Sequence, residues 1–172
     1  MPDPLDGVRV IEGDLDAKGA RFAILVSRFN SFITDRLLGG AVETLRRLGA
    51  NAADITVVKV PGAWELPQTA ARMLETGSYD AVIALGCLMK GDTIHFDLIA
   101  SEAAKGLSAL GQKTGIPVLF GVLTTNDLEQ AVHRAGAKYG NKGAEVAQAA
   151  VEQVRVYAAL GDKSTSSRRR KK

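Results

Sequence analysis

The sequence holds one cysteine, two histidines and one tryptophan in 172 residues. A lone Cys87 closes no internal disulfide, which excludes a disulfide-stapled scaffold and suits a reducing compartment. So few histidines and cysteines give no metal-ligand spacing, so no metal site is expected. Long apolar runs are also missing. The longest, Ala81 to Met89, falls far short of the roughly 20 residues that span a bilayer. The chain opens Met1-Pro2-Asp3-Pro4 without a basic start or an apolar segment, so no secretory signal is expected. A cytoplasmic protein that avoids membranes is the expectation. Neither a G-x-G-x-x-G fingerprint nor a G-x-S-x-G elbow occurs.

An excess of positive charge is confined to one end. The net charge is +3, but Arg168, Arg169, Arg170, Lys171 and Lys172 supply five cations at the C-terminus. Taking those five from the 22 basic residues leaves 17 against 19 acidic ones, a net of −2. A nucleic-acid partner is therefore not expected, because the body has no basic bias. Residues 161–172 read as a basic, disordered tail. Residues 1–160 read as one domain, and the chain as a whole has the 46% hydrophobic and 24% charged composition of an ordinary globular protein.

Within that domain, strand and helix patterns alternate. Arg21 to Ser27 is a nearly continuous apolar run, as in a strand buried on both faces. Asn30 or Ser31 can cap a helix through Leu37, Leu38, Ala41, Val42, Leu45 and Leu48, ended by Gly49. Ile55–Val60, Ala81–Leu85 and Pro117–Leu123 read as further strands. Helices are predicted from Glu65 to Gly77, through Phe96 to Leu107, from an Asn126/Glu129 capping box, and from Glu145 to Leu160. Val8 to Ile11 reads as an N-terminal edge strand. The expected architecture is α/β: a three-layer, doubly wound, flavodoxin-like sandwich around a four-stranded parallel sheet plus that edge strand.

In such folds ligands bind beyond the carboxyl ends of the strands, where the unusual residues gather. Gly86-Cys-Leu-Met-Lys-Gly-Asp-Thr93 fits a phosphate-binding P-loop except that Asp92 replaces the lysine. That disfavours a nucleotide triphosphatase but still allows one phosphate at the next helix's N-terminus. The plain alternative is a glycine-rich turn. His95 follows this loop and is either a packed side chain or a proton carrier. His133, inside a short helix, reads as structural or exposed. Glu65 after Trp64 either pairs with a helix dipole or accepts hydrogen bonds from a polyol. Phe29 is a core residue or a stacking surface for a heterocycle. Arg134, Lys138 and Lys142 lie in a glycine-punctuated turn, which is either solvated or phosphate-binding.

Five segments in order resemble the 6,7-dimethyl-8-ribityllumazine synthase family across about Val8 to Leu160. They are Arg28-Phe-Asn30, Val60-Pro-Gly-Ala-Trp-Glu-Leu-Pro67, Leu85 to Phe96, Phe120 to Thr125 and Arg134 to Gly143. The resemblance implies condensation of 5-amino-6-(D-ribitylamino)uracil with 3,4-dihydroxy-2-butanone 4-phosphate, without cofactor or metal. It implies that Phe29, Ala63, Trp64, Glu65, Cys87, Leu88, Met89 and Phe120 contact the aminouracil. Asp92, Thr93 and Arg134 would hold the butanone phosphate, and His95 would donate the proton. Lys142 and Glu145 would form a charged pair nearby. The resemblance further implies a homopentamer with pockets between neighbours, twelve pentamers in an icosahedral capsid, and riboflavin synthase as a partner. The chain departs from the family pattern at Trp64, where Phe is usual, at Met89-Lys90, where Ile-Arg is common, and at Asp92. Two other classes fit the same fold: a flavin- or phosphate-carrying module, and a shell-forming relative without catalysis.

Overall fold

The computed structural model describes residues 4–161. Four strands, β1 (Phe22–Ser27), β2 (Ile55–Val60), β3 (Ala81–Met89) and β4 (Val118–Thr125), make one parallel sheet in the order β2-β1-β3-β4. Between them run α1 (Ser31–Arg47), α2 (Leu66–Leu74) and α3 (His95–Thr114). After β4 come α4 (Leu128–His133), a small antiparallel hairpin of β5 (Ala135–Ala137) and β6 (Gly140–Asn141), and α5 (Lys142–Gly161). Of the expected tail, residues 161–172, Gly161 closes α5 and the rest lies outside the described residues.

Strand order decides which face each helix covers. The step from β1 to β2 runs one way across the sheet, and the steps to β3 and β4 run the other way. Right-handed crossovers therefore send α1 to one face and α2 with α3 to the opposite face. The two cores follow. Ile33, Leu37, Ala41 and Leu45 of α1 pack with Ala147, Ala150 and Val151 of α5 over Ile24, Val26, Ile83 and Leu85. Leu66, Ala70 and Leu74 of α2 pack with Leu107 of α3 over Ala23, Leu25, Val82 and Ala84. Alternate residues of β1 and β3 thus enter opposite cores, which explains their unbroken apolar runs.

Three local expectations are corrected. Val8 to Ile11 forms no strand, because the N-terminal segment is drawn to α5 instead of to the β2 edge. Gly13 lies directly against the Glu152 carbonyl, and Arg155 donates to the carbonyls of Asp16 (2.6 Å) and Lys18 (2.9 Å). β3 runs four residues past Leu85, to Met89. Gly86 is a packing glycine in the strand; a Cβ there would meet Val122, Leu66 and Ser27 at 3.3–3.4 Å. α4 is capped by Asp127, whose Oδ1 accepts from the Gln130 N–H at 2.8 Å, while Asn126 donates to Gln130 Oε1 at 3.1 Å. The Asn126/Glu129 box is shifted by one residue.

The tightest helix–helix contact joins α1 to the start of α5. A Cβ on Gly143 would collide with the Leu37 carbonyl, and one on Gly40 would lie 2.6 Å from the Asn141 amide. Asn141 Nδ2 donates to the Arg36 carbonyl at 2.9 Å. Overpacking a close-packed site typically costs about 1–3 kcal/mol. Gly143→Ala should therefore lower unfolding free energy by at least about 1 kcal/mol. Denaturant titration checks this, and an unchanged midpoint would contradict the contact.

Candidate functional site

β1 is the switch point of the sheet: the chain leaves it for β2 on one side and later returns to β3 on the other. No crossover connection passes between the carboxyl ends of β1 and β3, and ligands of open α/β sheets bind in such a crevice. Asn30, the residue before α1, stands at φ 59°, the only described non-glycine residue with positive φ. Asparagine is among the few residues that tolerate this region. Its side chain does not cap α1; Nδ2 donates instead to the Cys87 carbonyl across the crevice at 2.9 Å. The turn also receives Thr34 Oγ1 on the Ser27 carbonyl at 2.7 Å. Arg28 and Phe29 N–H groups donate to the carbonyls of Val60 and Pro61 at 2.8 and 3.0 Å. A backbone pinned on both sides leaves the Phe29 ring 66% exposed at the sheet edge.

The turn after β2 supplies the next wall. Ala63 is buried, and Trp64 is 48% exposed. Glu65 Oε2 accepts the Gly62 N–H at 2.9 Å, so this carboxylate braces its own turn while Oε1 has no described partner. From β3, Cys87 and Leu88 are buried and Met89 is half-buried. Lys90 is held by its N–H on the Thr125 carbonyl at 2.8 Å. Asp92, Thr93 and His95 follow, all exposed, with the His95 N–H 3.4 Å from Thr93 Oγ1. His95 is the first residue of α3. The leading N–H groups of this 20-residue helix have no intrahelical acceptors and form a ready anion site.

Phe29, Ala63, Trp64, Glu65, Cys87, Leu88, Met89, Asp92, Thr93 and His95 therefore share one edge. Phe120 does not join them. It pairs with Ala84 in mid-strand, five residues before Thr125, or about 16 Å from the strand's end at roughly 3.3 Å per residue. It is 39% exposed on the outer strand, beside a groove of about 430 Å³ between α3 and α5. Arg134, Lys142 and Glu145 form a third group around the β5–β6 hairpin. Lys142 Nζ pairs closely with Glu145 Oε2, and Arg134 donates to the Gln130 carbonyl at 3.2 Å. Among the described residues, no hydrogen bond or ion pair joins this group to residues 90–95. His133, read as structural or exposed, is half-buried and meets the Tyr139 ring edge-on at 5.7 Å. No group of three His, Cys, Asp or Glu among the described residues could hold a metal ion. No described helix is long and apolar enough to cross a membrane.

Sequence reasoning missed the tether by Asn30, which reads as a helix cap. Its signal was the residue type: asparagine between a strand and a helix suits a left-handed turn.

A family model for 6,7-dimethyl-8-ribityllumazine synthase matches residues 19–158. The chain belongs to the lumazine synthase family. Curated relatives of that name agree along nearly their whole length. The one from Nitratidesulfovibrio vulgaris (strain DP4) is 51% identical over 149 residues, 87% of this chain and 96% of the relative. That from Desulfatibacillum aliphaticivorans is 54% identical over 146 residues, 85% and 94% of the two chains. That from Chlorobium phaeobacteroides (strain DSM 266 / SMG 266 / 2430) is 53% identical over 150 residues, 87% and 97%. Membership in the lumazine synthase family favours neither the carrier module nor the inert shell protein.

Burial raises the Cys87 thiol from its ordinary 9.0 to about 11. The folded protein thus keeps this proton over a range where the unfolded chain releases it. The resulting stability is fully present below pH 9 and is lost as pH rises toward 11. At about 1.36 kcal/mol per pKa unit the loss is on the order of 2–3 kcal/mol. Denaturation at pH 8 and pH 10.5 should reveal it, and Cys87→Ala should lose less stability over the same interval. Equal losses in both proteins would contradict the assignment.

Proposed function

We propose that this chain condenses 5-amino-6-(D-ribitylamino)uracil with 3,4-dihydroxy-2-butanone 4-phosphate to 6,7-dimethyl-8-ribityllumazine, phosphate and water. The observation that carries the reading is the convergence of Phe29, Glu65 and His95 at the β1/β3 switch point, within a chain of the lumazine synthase family. An exposed ring held by a rigid turn suits stacking on a flat pyrimidine. Glu65 Oε1 suits the ribityl hydroxyls, and Ala63, Trp64, Cys87, Leu88 and Met89 would contact the same substrate. The N–H groups of Asp92 and Thr93 at the α3 terminus suit a phosphate, with Arg134 as the fork-shaped cation.

The chemistry is imine formation, loss of phosphate, tautomerisation and ring closure. Each step moves protons, and none needs a redox partner or a resident metal. His95 is the imidazole at this edge, the side-chain type that most often serves as a general acid and base, so it would pass those protons. Fixing two substrates side by side supplies much of the remaining acceleration, about 7–11 kcal/mol in well-oriented systems.

We further propose that the pocket is completed by a second copy. Phe29 and Trp64 are exposed on one edge, while Phe120 is exposed on the outer strand, about 16 Å short of that strand's carboxyl end at roughly 3.3 Å per residue. A neighbour's Phe120, Arg134 and Lys142–Glu145 pair could meet the first copy's Phe29 and His95 in a heterologous contact that closes a ring. A homopentamer is the minimum assembly on this reading. Twelve pentamers in a capsid, a docking role for riboflavin synthase and a cytoplasmic setting extend it. Val8 and Val10, 57% and 50% exposed, remain available for pairing with another copy's β2 edge.

Mixing both substrates with the protein should produce the absorbance and fluorescence of the lumazine. His95→Ala should slow turnover about 100-fold, the low end of acid–base contributions, with substrate affinity near normal. A wild-type rate in that variant would remove His95 from the mechanism, and no lumazine from the native chain would end the reading. Light scattering at assay concentration should give a pentamer or a multiple of one. An active monomer would refute the shared pocket.

A further inference from the structure

The β5–β6 hairpin folds Tyr139 back onto the residue proposed to hold phosphate. Its N–H donates to the His133 carbonyl at 2.9 Å, and the hairpin closes between Gly136 (φ 103°) and Gly140 (φ 74°). Two further bonds fix the base: the Lys142 N–H on the Arg134 carbonyl, 2.9 Å, and Asn141 Nδ2 on the Arg36 carbonyl, 2.9 Å. On this support the Tyr139 ring lies 5.6 Å from the Arg134 guanidinium carbon and 5.4 Å from Lys138 Nζ. The His133 ring meets it edge-on at 85°. Arg134 is also held by its own helix, through Nη1 on the Gln130 carbonyl at 3.2 Å. Among the described residues neither Arg134 nor Lys138 has a carboxylate in an ion pair.

We infer that Tyr139 is a positioning residue for Arg134, its ring face holding the guanidinium ready for the butanone phosphate. The inference rests on the proposed role of Arg134. An arginine side chain on a solvated surface samples many rotamers, and each one frozen on binding lowers affinity. A ring beneath the guanidinium restricts those rotamers before the ligand arrives. The ring contact uses none of the guanidinium N–H groups. With only Nη1 engaged among the described residues, on the Gln130 carbonyl, the Nε and Nη2 groups stay available for a phosphate. The phenol hydroxyl has no part in this, because the attraction comes from the ring's quadrupole. Two cations gathered on one aromatic, neither ion-paired to a carboxylate among the described residues, are suited to an anion from outside.

Steady-state kinetics with each substrate varied in turn tests this on the full chain. Tyr139→Ala and Tyr139→Leu should both raise KM for the butanone phosphate about two- to fivefold, the size of an exposed cation–ring contact. In both variants kcat and KM for the aminouracil should stay at native values. Tyr139→Phe should behave as the native protein. Leucine keeps apolar bulk without the ring face, so it separates a packing loss from loss of the platform. Adding Tyr139→Ala to Arg134→Ala should cost nothing more, since the ring acts through the arginine. If Arg134→Ala weakens the phosphate substrate but Tyr139→Ala and Tyr139→Leu do not, the platform is overturned while the role of Arg134 stands. If Arg134→Ala leaves that KM unchanged, both are overturned. Equal weakening of both substrates, or a Tyr139→Phe defect, would also refute it.

Discussion

The parallel pairing of β1 with both β2 and β3 is the constraint from which the rest of the structure follows. A strand with parallel neighbours on both sides must send its chain out across one face and receive it back across the other. That requirement sets α1 opposite α2 and α3, and it buries β1 completely. It also opens a crevice at the carboxyl ends of β1 and β3 that no crossover can fill. Local chemistry then holds the crevice in shape. Asn30 can donate to the Cys87 carbonyl because its backbone takes a left-handed turn. An alanine there would meet both the strain of positive φ and the loss of the bridge.

The close approach of α1 and α5 ties this edge to the hairpin. Gly40 and Gly143 remove the Cβ atoms that would keep the helices apart, and Asn141 fills the space with an amide bonded to α1. The same α1 begins at the Phe29–Asn30 turn, so the hairpin carrying Arg134 and Tyr139 is referenced to the element that carries the stacking ring. Rigid helices transmit such placement better than loops do, because close-packed interiors yield little.

Much of this was legible in the residues. The apolar runs of β1 and β2, the helical spacing of Leu37, Ala41 and Leu45, and the Gly49 stop each depend on local chemistry, and each is found. What was misread depends on distant partners. Gly86 looks like a turn glycine, yet its missing Cβ serves Val122 and Leu66, neighbours far away in sequence. The Val8–Ile11 segment alternates as a strand would, but Arg155, nearly 140 positions later, draws the following residues to α5. The resemblance already implied a pocket shared between neighbours, although motif order by itself carries no distances. The sheet register separates Phe120 from the edge that holds Phe29.

That separation gives the proposed assembly its physical logic. Phe29, Phe32, Trp64, Ile94 and Leu98, and Phe120 on the outer strand, are each between 39% and 71% exposed, and exposed large apolar groups that cluster mark surfaces that meet something. A single chain cannot bring Phe120 to Phe29, since a β-strand does not bend back over five residues. Two copies related by a rotation can, and repeating one rotation about an axis closes a ring in which every edge meets one outer strand. On the proposed reading catalysis and assembly are then the same event. In the proposed ring, burying the exposed aromatics would also complete the pocket and bring the arginine-bearing hairpin to the helix terminus suited to an anion.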